Sequence, residues 1–180
     1  MTTQLTINQT TIELIEGDIT RQETDAIVNT ANSALAGGGG VDGAIHRAAG
    51  ADLLQEACRK LGRCNTGDAK ITPGFHLKAK YIIHAVGPIY NPAGDESPRL
   101  LASAYQRSLE VAVENGLESL AFPAISTGVY GYPMDKAAAI AIQTVADFAR
   151  SNTQIKLVRF VLFGQPAFKT FEEALGKIVV

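Results

Sequence analysis

Residues 29–50 read NTANSALAGGGGVDGAIHRAAG, with four consecutive glycines between an apolar segment and a helix-like run. Upstream, DAIVN at 25–29 is a short apolar stretch with polar ends, the pattern of a strand buried on both faces. Downstream, VDGAIHRAA places apolar residues at 41, 45, 48 and 49, a helical spacing that Gly50 stops. The reading is therefore strand, glycine loop, helix. Glycines there permit positive φ and let a ligand reach backbone N–H groups. The following helix adds roughly half an elementary positive charge at its start, which makes an anion site.

A second loop of the same kind lies far downstream in PAISTGVYGYP, residues 123–133, between the strand-like SLAFPAI and the helical MDKAAAIAIQTVADFAR. The remaining segments alternate in the same way. LTINQTTIELIEGDIT reads as two short strands around a polar turn at residues 8–10. DLLQEACRKL is helical, DAKITPG strand-like, and YIIHAVG a buried strand. PRLLASAYQRSLEVAVENG is the clearest helix, with Pro98 near its start and Gly116 beyond its end. KLVRFVLF is a strand and FKTFEEALGKI a final helix. Alternation after an opening hairpin predicts an α/β sandwich with a largely parallel central sheet. Ligands of such sheets lie beyond the carboxyl ends of the strands, so both glycine loops are expected on one edge.

With 180 residues, 46% hydrophobic and 19% charged, the chain has the size and composition of one folded domain, read as spanning 1–180. Its net charge of -2, without a run of Lys or Arg, lacks the basic footprint of a nucleic-acid binder. Cys58, Cys64 and three scattered histidines match no metal-ligand spacing, so no metal is expected and the thiols read as reduced and structural. No secretory signal and no apolar stretch of about 20 residues is present, so no membrane partner and a cytoplasmic location are expected. Neither loop, 37–43 or 125–131, contains Lys or Arg, and the first lacks the lysine of a phosphate-cleaving NTPase. Phosphates are thus expected to be held by backbone rather than transferred.

GDIT at 17–20, VNTANSALAGGGGVDGAIHRAAG at 28–50, IIHAVGP at 82–88 and FPAISTGVYGYP at 122–133 together resemble the macrodomain family. The closest likeness is to its mono-ADP-ribosylhydrolases and O-acetyl-ADP-ribose deacetylases, the MacroD type. The resemblance implies a three-layer α-β-α sandwich around a mixed, mostly parallel sheet, in agreement with the alternation above. It also implies that Asp18 accepts from the adenine amino group with Ile19 beside it, and that Phe163 lies against the adenine ring. Gly38, Gly39, Gly40 and Val41 of the first loop, with Ser126, Thr127, Gly128, Val129 and Tyr130 of the second, would surround the diphosphate and distal ribose. Asn32 and Asp42 would approach that ribose as the catalytic pair.

The implied reaction is metal-independent, cofactor-free hydrolysis of an ester on the distal ribose of ADP-ribose, either O-acetyl-ADP-ribose or mono-ADP-ribose on an acidic side chain. The expected partners are ADP-ribose, its esters and mono-ADP-ribosylated proteins. An ordinary aspartate is a weak base at neutral pH, so either Asp42 or a substrate phosphate takes the proton from the attacking water. A non-catalytic reader, an ADP-ribose 1″-phosphate phosphatase and, disfavoured by charge, an RNA-binding module are the competing readings. Each residue also has a plainer one. Asp18 would only order a turn, Phe163 would be core, Asp42 would cap its helix, and Asn32 would brace a loop. Tyr130 would be a surface aromatic. His84 reads as a satisfied interior residue and His46 as a helix residue near the site. Neither histidine has a Ser or Cys nucleophile beside it in the sequence, which argues against a triad.

Overall fold

The computed structural model describes residues 3–94 and 96–180. Seven strands form one mixed sheet: β1 (Gln4–Ile7), β2 (Thr10–Glu16), β3 (Ala26–Thr30), β4 (Ala69–Pro73), β5 (Tyr81–Ala85), β6 (Ser119–Phe122) and β7 (Leu157–Leu162). Their spatial order is β1-β2-β7-β6-β3-β5-β4. The five central strands run parallel, and β1 and β4 are antiparallel at the two edges. The expected mixed, mostly parallel sheet is what the chain forms.

Five helices cover the sheet: α1 (Gly40–Ala49), α2 (Ala51–Leu61), α3 (Glu96–Glu114), α4 (Met134–Ser151) and α5 (Gln165–Gly176). Alternation along each strand sends successive residues to opposite faces, and two cores result. Val28, Ile83, Leu120, Phe122, Val158 and Phe160 pack with residues of α3, α4 and α5, including Leu101, Tyr105, Ile142 and Phe171. Ile27, Ile82, Ala121 and Val161 pack with Ile45 and Ala49 of α1 and Leu54 and Cys58 of α2. The final helix starts at Gln165, three residues before the expected Phe168. Pro166 fits that first turn because its missing N–H would have no intrahelical acceptor there.

Parallel pairing puts five carboxyl-terminal strand ends on one edge. Along that edge stand Asp18 after β2, Phe163 after β7, the 123–133 loop after β6, the glycine loop after β3, and Gly87 after β5. Both glycine loops therefore share an edge, on the adjacent strands β3 and β6.

Candidate functional site

The first loop is shaped by side chains. Asn32 Nδ2 donates to the Gly37 carbonyl at 3.0 Å, and its Oδ1 accepts from the Ala36 N–H at 3.1 Å. The amide thus ties the start of the glycine run to the end of β3, and this bracing uses both of its polar atoms. Gly37 and Gly40 have φ of +79° and +57°, so two of the four glycines answer to backbone geometry. Gly39 does not: a Cβ there would meet no atom of the described residues within 4 Å, and the same holds for Gly128 in the second loop. Nothing among the described residues requires those two positions to lack side chains. Gly43 has a different reason, since its Cβ would lie 2.6 Å from the Gly38 carbonyl oxygen. It lets the first turn of α1 press against the loop. Among the described residues, no protein acceptor receives the N–H of Gly38, Gly39 or Gly40.

Asp42 sits in the first turn of α1, but the residue at the cap is Gly39, so the capping reading is overturned. The Asp42 side chain turns inward instead. Its Oδ1 accepts from Asn29 Nδ2 at 2.9 Å and lies 3.0 Å from His46 Nδ1. Among the described residues its Oδ2 has no hydrogen-bond donor, and it stands 3.6 Å from where a Gly38 Cβ would be. One carboxylate oxygen is fixed and the other faces the loop.

Behind Asp42 a polar chain crosses three strands. Asn29 Nδ2 also reaches His84 Nδ1 at 3.1 Å, and His84 Nε2 reaches Thr72 Oγ1 at 2.9 Å. An amide donor facing Nδ1 makes that nitrogen the acceptor, so the His84 proton is on Nε2 and points at Thr72. Burial holds His84 neutral, with its pKa pushed down to about 3. The interior reading of His84 is correct. Although no nucleophile neighbours His84 in the sequence, the fold carries Cys58, on α2, to 3.9 Å from its Nε2. The pair is inert because burial raises the thiol to about 11 and Nε2 is committed to Thr72.

The second loop is shaped by packing. The Tyr105 hydroxyl, inside the α3 core, accepts from the Ile125 N–H at 3.0 Å and donates to the Pro123 carbonyl at 3.3 Å. Ser126 takes φ +70°, strained for a residue with a Cβ, and its buried Oγ has no partner among the described residues. Gly87 makes this possible, because a Cβ there would stand 2.2 Å from Ser126 Oγ. Thr127 is held by its own hydroxyl on the Ala124 carbonyl. Tyr130 is half-buried, its carbonyl accepts from the Tyr90 N–H at 2.9 Å, and Val129 is wholly exposed.

At the far end of the edge, Asp18 does order a turn. Its Oδ1 accepts from the Thr20 N–H at 2.9 Å and hydroxyl at 2.7 Å, and these bonds hold its pKa below the ordinary carboxylate value. Among the described residues its Oδ2 accepts no hydrogen bond, and it lies 3.8 Å from Arg21 Nε. Ile19 is buried beside it. Phe163 is 96% exposed, so the core reading is overturned. An unpartnered aromatic on a strand end is a free stacking face.

Sequence reasoning missed Asn29, Thr72 and Gly43 as parts of the site and placed His46 only near it. Alternation along β3 could have found Asn29, since it shares a sheet face with Ile27. His46 stands one turn from Asp42, a spacing also visible in the sequence. The loops themselves contain no cation, but Arg47 folds back along α1, its Nη1 3.2 Å from the Gly43 Cβ position. Among the described residues no group of three or more His, Cys, Asp or Glu could hold a metal ion, and no helix is long and apolar enough to cross a membrane.

Comparison with known proteins agrees with this architecture. A family model described as Macro domain matches residues 28–141. A macro domain-containing protein of Methanosarcina mazei is 48% identical over 176 residues, covering 98% of this chain and 94% of its own. A protein of Cronobacter turicensis named O-acetyl-ADP-ribose deacetylase is 51% identical over 170 residues, with 92% and 96% covered. The solved Oceanobacillus iheyensis macrodomain with ADP superposes with a TM-score of 0.91 at 46% identity, over 96% of this chain and 94% of that one. With identity near one half over almost its whole length, and the four motifs on one sheet edge, this chain belongs to the macro domain family.

Proposed function

We propose that this chain binds ADP-ribose along the shared strand edge and hydrolyses esters on its distal ribose. The observation that carries the reading is the order of the strand ends. From β2 to β3 they present a free carboxylate oxygen (Asp18), an exposed aromatic (Phe163), a backbone loop open at Gly128, and a backbone loop open at Gly39 beside Asp42. Adjacent strands lie roughly 4.8 Å apart, so this series spans about 14 Å, the scale of an adenosine diphosphate carrying a further sugar. Base, aromatic stack, diphosphate and distal ribose follow the same order.

In this reading Asp18 Oδ2 accepts from the adenine amino group beside Ile19, and Phe163 stacks on the ring. N–H groups of Gly38, Gly39, Gly40 and Val41, with those of residues 126–130, receive the diphosphate at the start of α1, where the helix dipole favours negative charge. Tyr130 packs over the ribose. Asn32 holds the first loop in the form that places the ribose. Water attacks the acyl carbon, the ribose oxygen leaves with a proton, and the products are ADP-ribose and a carboxylate. Asp42 Oδ2 orients the water, with its proton taken there or by a substrate phosphate oxygen. Asn29 supplies the hydrogen bond to Oδ1 and His46 Nδ1, bonded to the Asp42 carbonyl, stands 3.0 Å from the same oxygen, which leaves Oδ2 as the oxygen available to the loop. The substrate class includes O-acetyl-ADP-ribose and aspartate- or glutamate-linked mono-ADP-ribose, supported by the name of the Cronobacter relative.

The test is release of acetate from O-acetyl-ADP-ribose and of ADP-ribose from an acid-linked protein adduct. Asp42→Ala is expected to bind ADP-ribose within about threefold of the parent while turnover falls at least about 100-fold. Binding by the parent without release would make the protein a reader. Unchanged turnover in the variant would remove Asp42 from the mechanism.

A further inference from the structure

We infer that Arg159 is a positioning residue that, acting through Gln22, sets how strictly Asp18 selects the base of the bound nucleotide. The inference rests on the adenine role of Asp18 proposed above, but its groups lie outside the ligand edge. Glu13 on β2 and Arg159 on β7 are direct partners in the parallel register. Arg159 Nε donates to Glu13 Oε1 at 2.5 Å, and Nη1 donates to Gln22 Oε1 at 3.1 Å. Gln22 then donates through Nε2 to the Asp18 carbonyl at 2.9 Å.

The direction of each bond matters. An Arg can only donate, so the Gln22 oxygen is committed to Arg159 and its nitrogen must face Asp18. The guanidinium meets two acceptors from one rigid plane, which a lysine's point charge does not reproduce. Glu13 and Arg159 are 22% and 27% exposed, against 53% for the Asp18 side chain, so the anchor is more enclosed than the carboxylate it steadies. Thr20 fixes Asp18 Oδ1 from one side and Gln22 fixes its backbone from the other. Together they aim Oδ2. Neither Arg159 nor Gln22 needs to touch the ligand.

The experiment compares ADP-ribose with inosine-diphosphate-ribose, whose hypoxanthine lacks the exocyclic amino group, by calorimetric titration. The proteins are the parent, Arg159→Met, Gln22→Ala and the double variant. The parent is expected to favour the adenine ligand by about tenfold or more, the scale of one hydrogen bond to a charged group. In Arg159→Met that ratio falls at least about threefold while affinity for the inosine ligand holds within about twofold. Gln22→Ala reproduces the loss, and the double variant adds nothing to it, as residues acting in one chain require. Equal weakening of both ligands, an unchanged ratio, or additive losses would overturn the inference. Should Arg159→Met fail to fold, Gln22→Ala alone decides by the same ratio. A parent that binds ADP-ribose without base preference removes both Asp18's role and this inference; a parent that does not bind ADP-ribose overturns the functional reading itself.

Discussion

On one face of the sheet three helices close over Tyr105, Phe122, Phe160 and Phe171, while on the other two helices close over Asn29, Asp42, His46 and His84. The aromatic rings of the first face pack in series, Phe122 and Phe160 stacked and the outer pairs tilted, with centroids 5.0 Å, 5.7 Å and 5.3 Å apart. The second face has no such series, and the polar chain runs across it from Thr72 to His46. The first face does the work of stability and reaches the site through the second loop, which the Tyr105 hydroxyl holds and whose Ile125 and Tyr132 pack into this core. The second gives part of its interior to hydrogen bonds whose end point is one oxygen of Asp42. Fold strength and site geometry are thus assigned to opposite sides of the same strands.

Three substitutions test that division of labour. The largest effect is expected from Phe160→Ala, which opens the aromatic series and costs about 3–5 kcal/mol in denaturant unfolding. ADP-ribose affinity of the folded fraction should stay within about twofold, and a selective loss of binding would show that the faces are not separate. Next comes acid sensitivity. His84 has a folded pKa of about 3 against an ordinary value of 6.5, so the unfolded chain takes the proton first. Stability is full above pH 6.5 and falls as pH drops toward 3, by about 3 kcal/mol at pH 4 from this group. His84→Gln should flatten that part of the unfolding profile; an identical slope in parent and variant would contradict the neutral, buried role of His84. Gly43→Ala is the smallest in stability, about 1–3 kcal/mol, because its Cβ collides with the Gly38 carbonyl. Its ADP-ribose affinity should nevertheless drop by tenfold or more, and a loss of stability without loss of affinity would separate the first loop from the ligand.

The unequal faces also explain what the sequence made readable. The succession of elements along the chain, the largely parallel sheet and the shared edge followed from alternation of apolar runs with helical spacing, which is local information. Asp42 stood out as a lone acid in a glycine-rich helix start, yet its inward turn did not, because the atoms that draw it in come from β3 and one turn along α1. Cys58 beside His84 was illegible for the same reason: 26 residues separate them, and only the packing of α2 over β5 brings them together. Phe163 reads as core in any strand pattern. It is exposed because β7 ends at Leu162 and the backbone turns at Gly164, with φ +90°, into α5.

The proposed chemistry depends on the two turns acting together on one ligand. The measurement that addresses this most directly is a titration of isotopically labelled protein with ADP-ribose, following backbone amide resonances. Signals of residues 38–41 and 126–130 should move along one saturation curve, joined by Asp18 and Phe163, while those of α3 and α5 stay still. If only one loop responds, or the two saturate at different ligand concentrations, the diphosphate is not held between them and the proposed chemistry at Asp42 has no substrate in place.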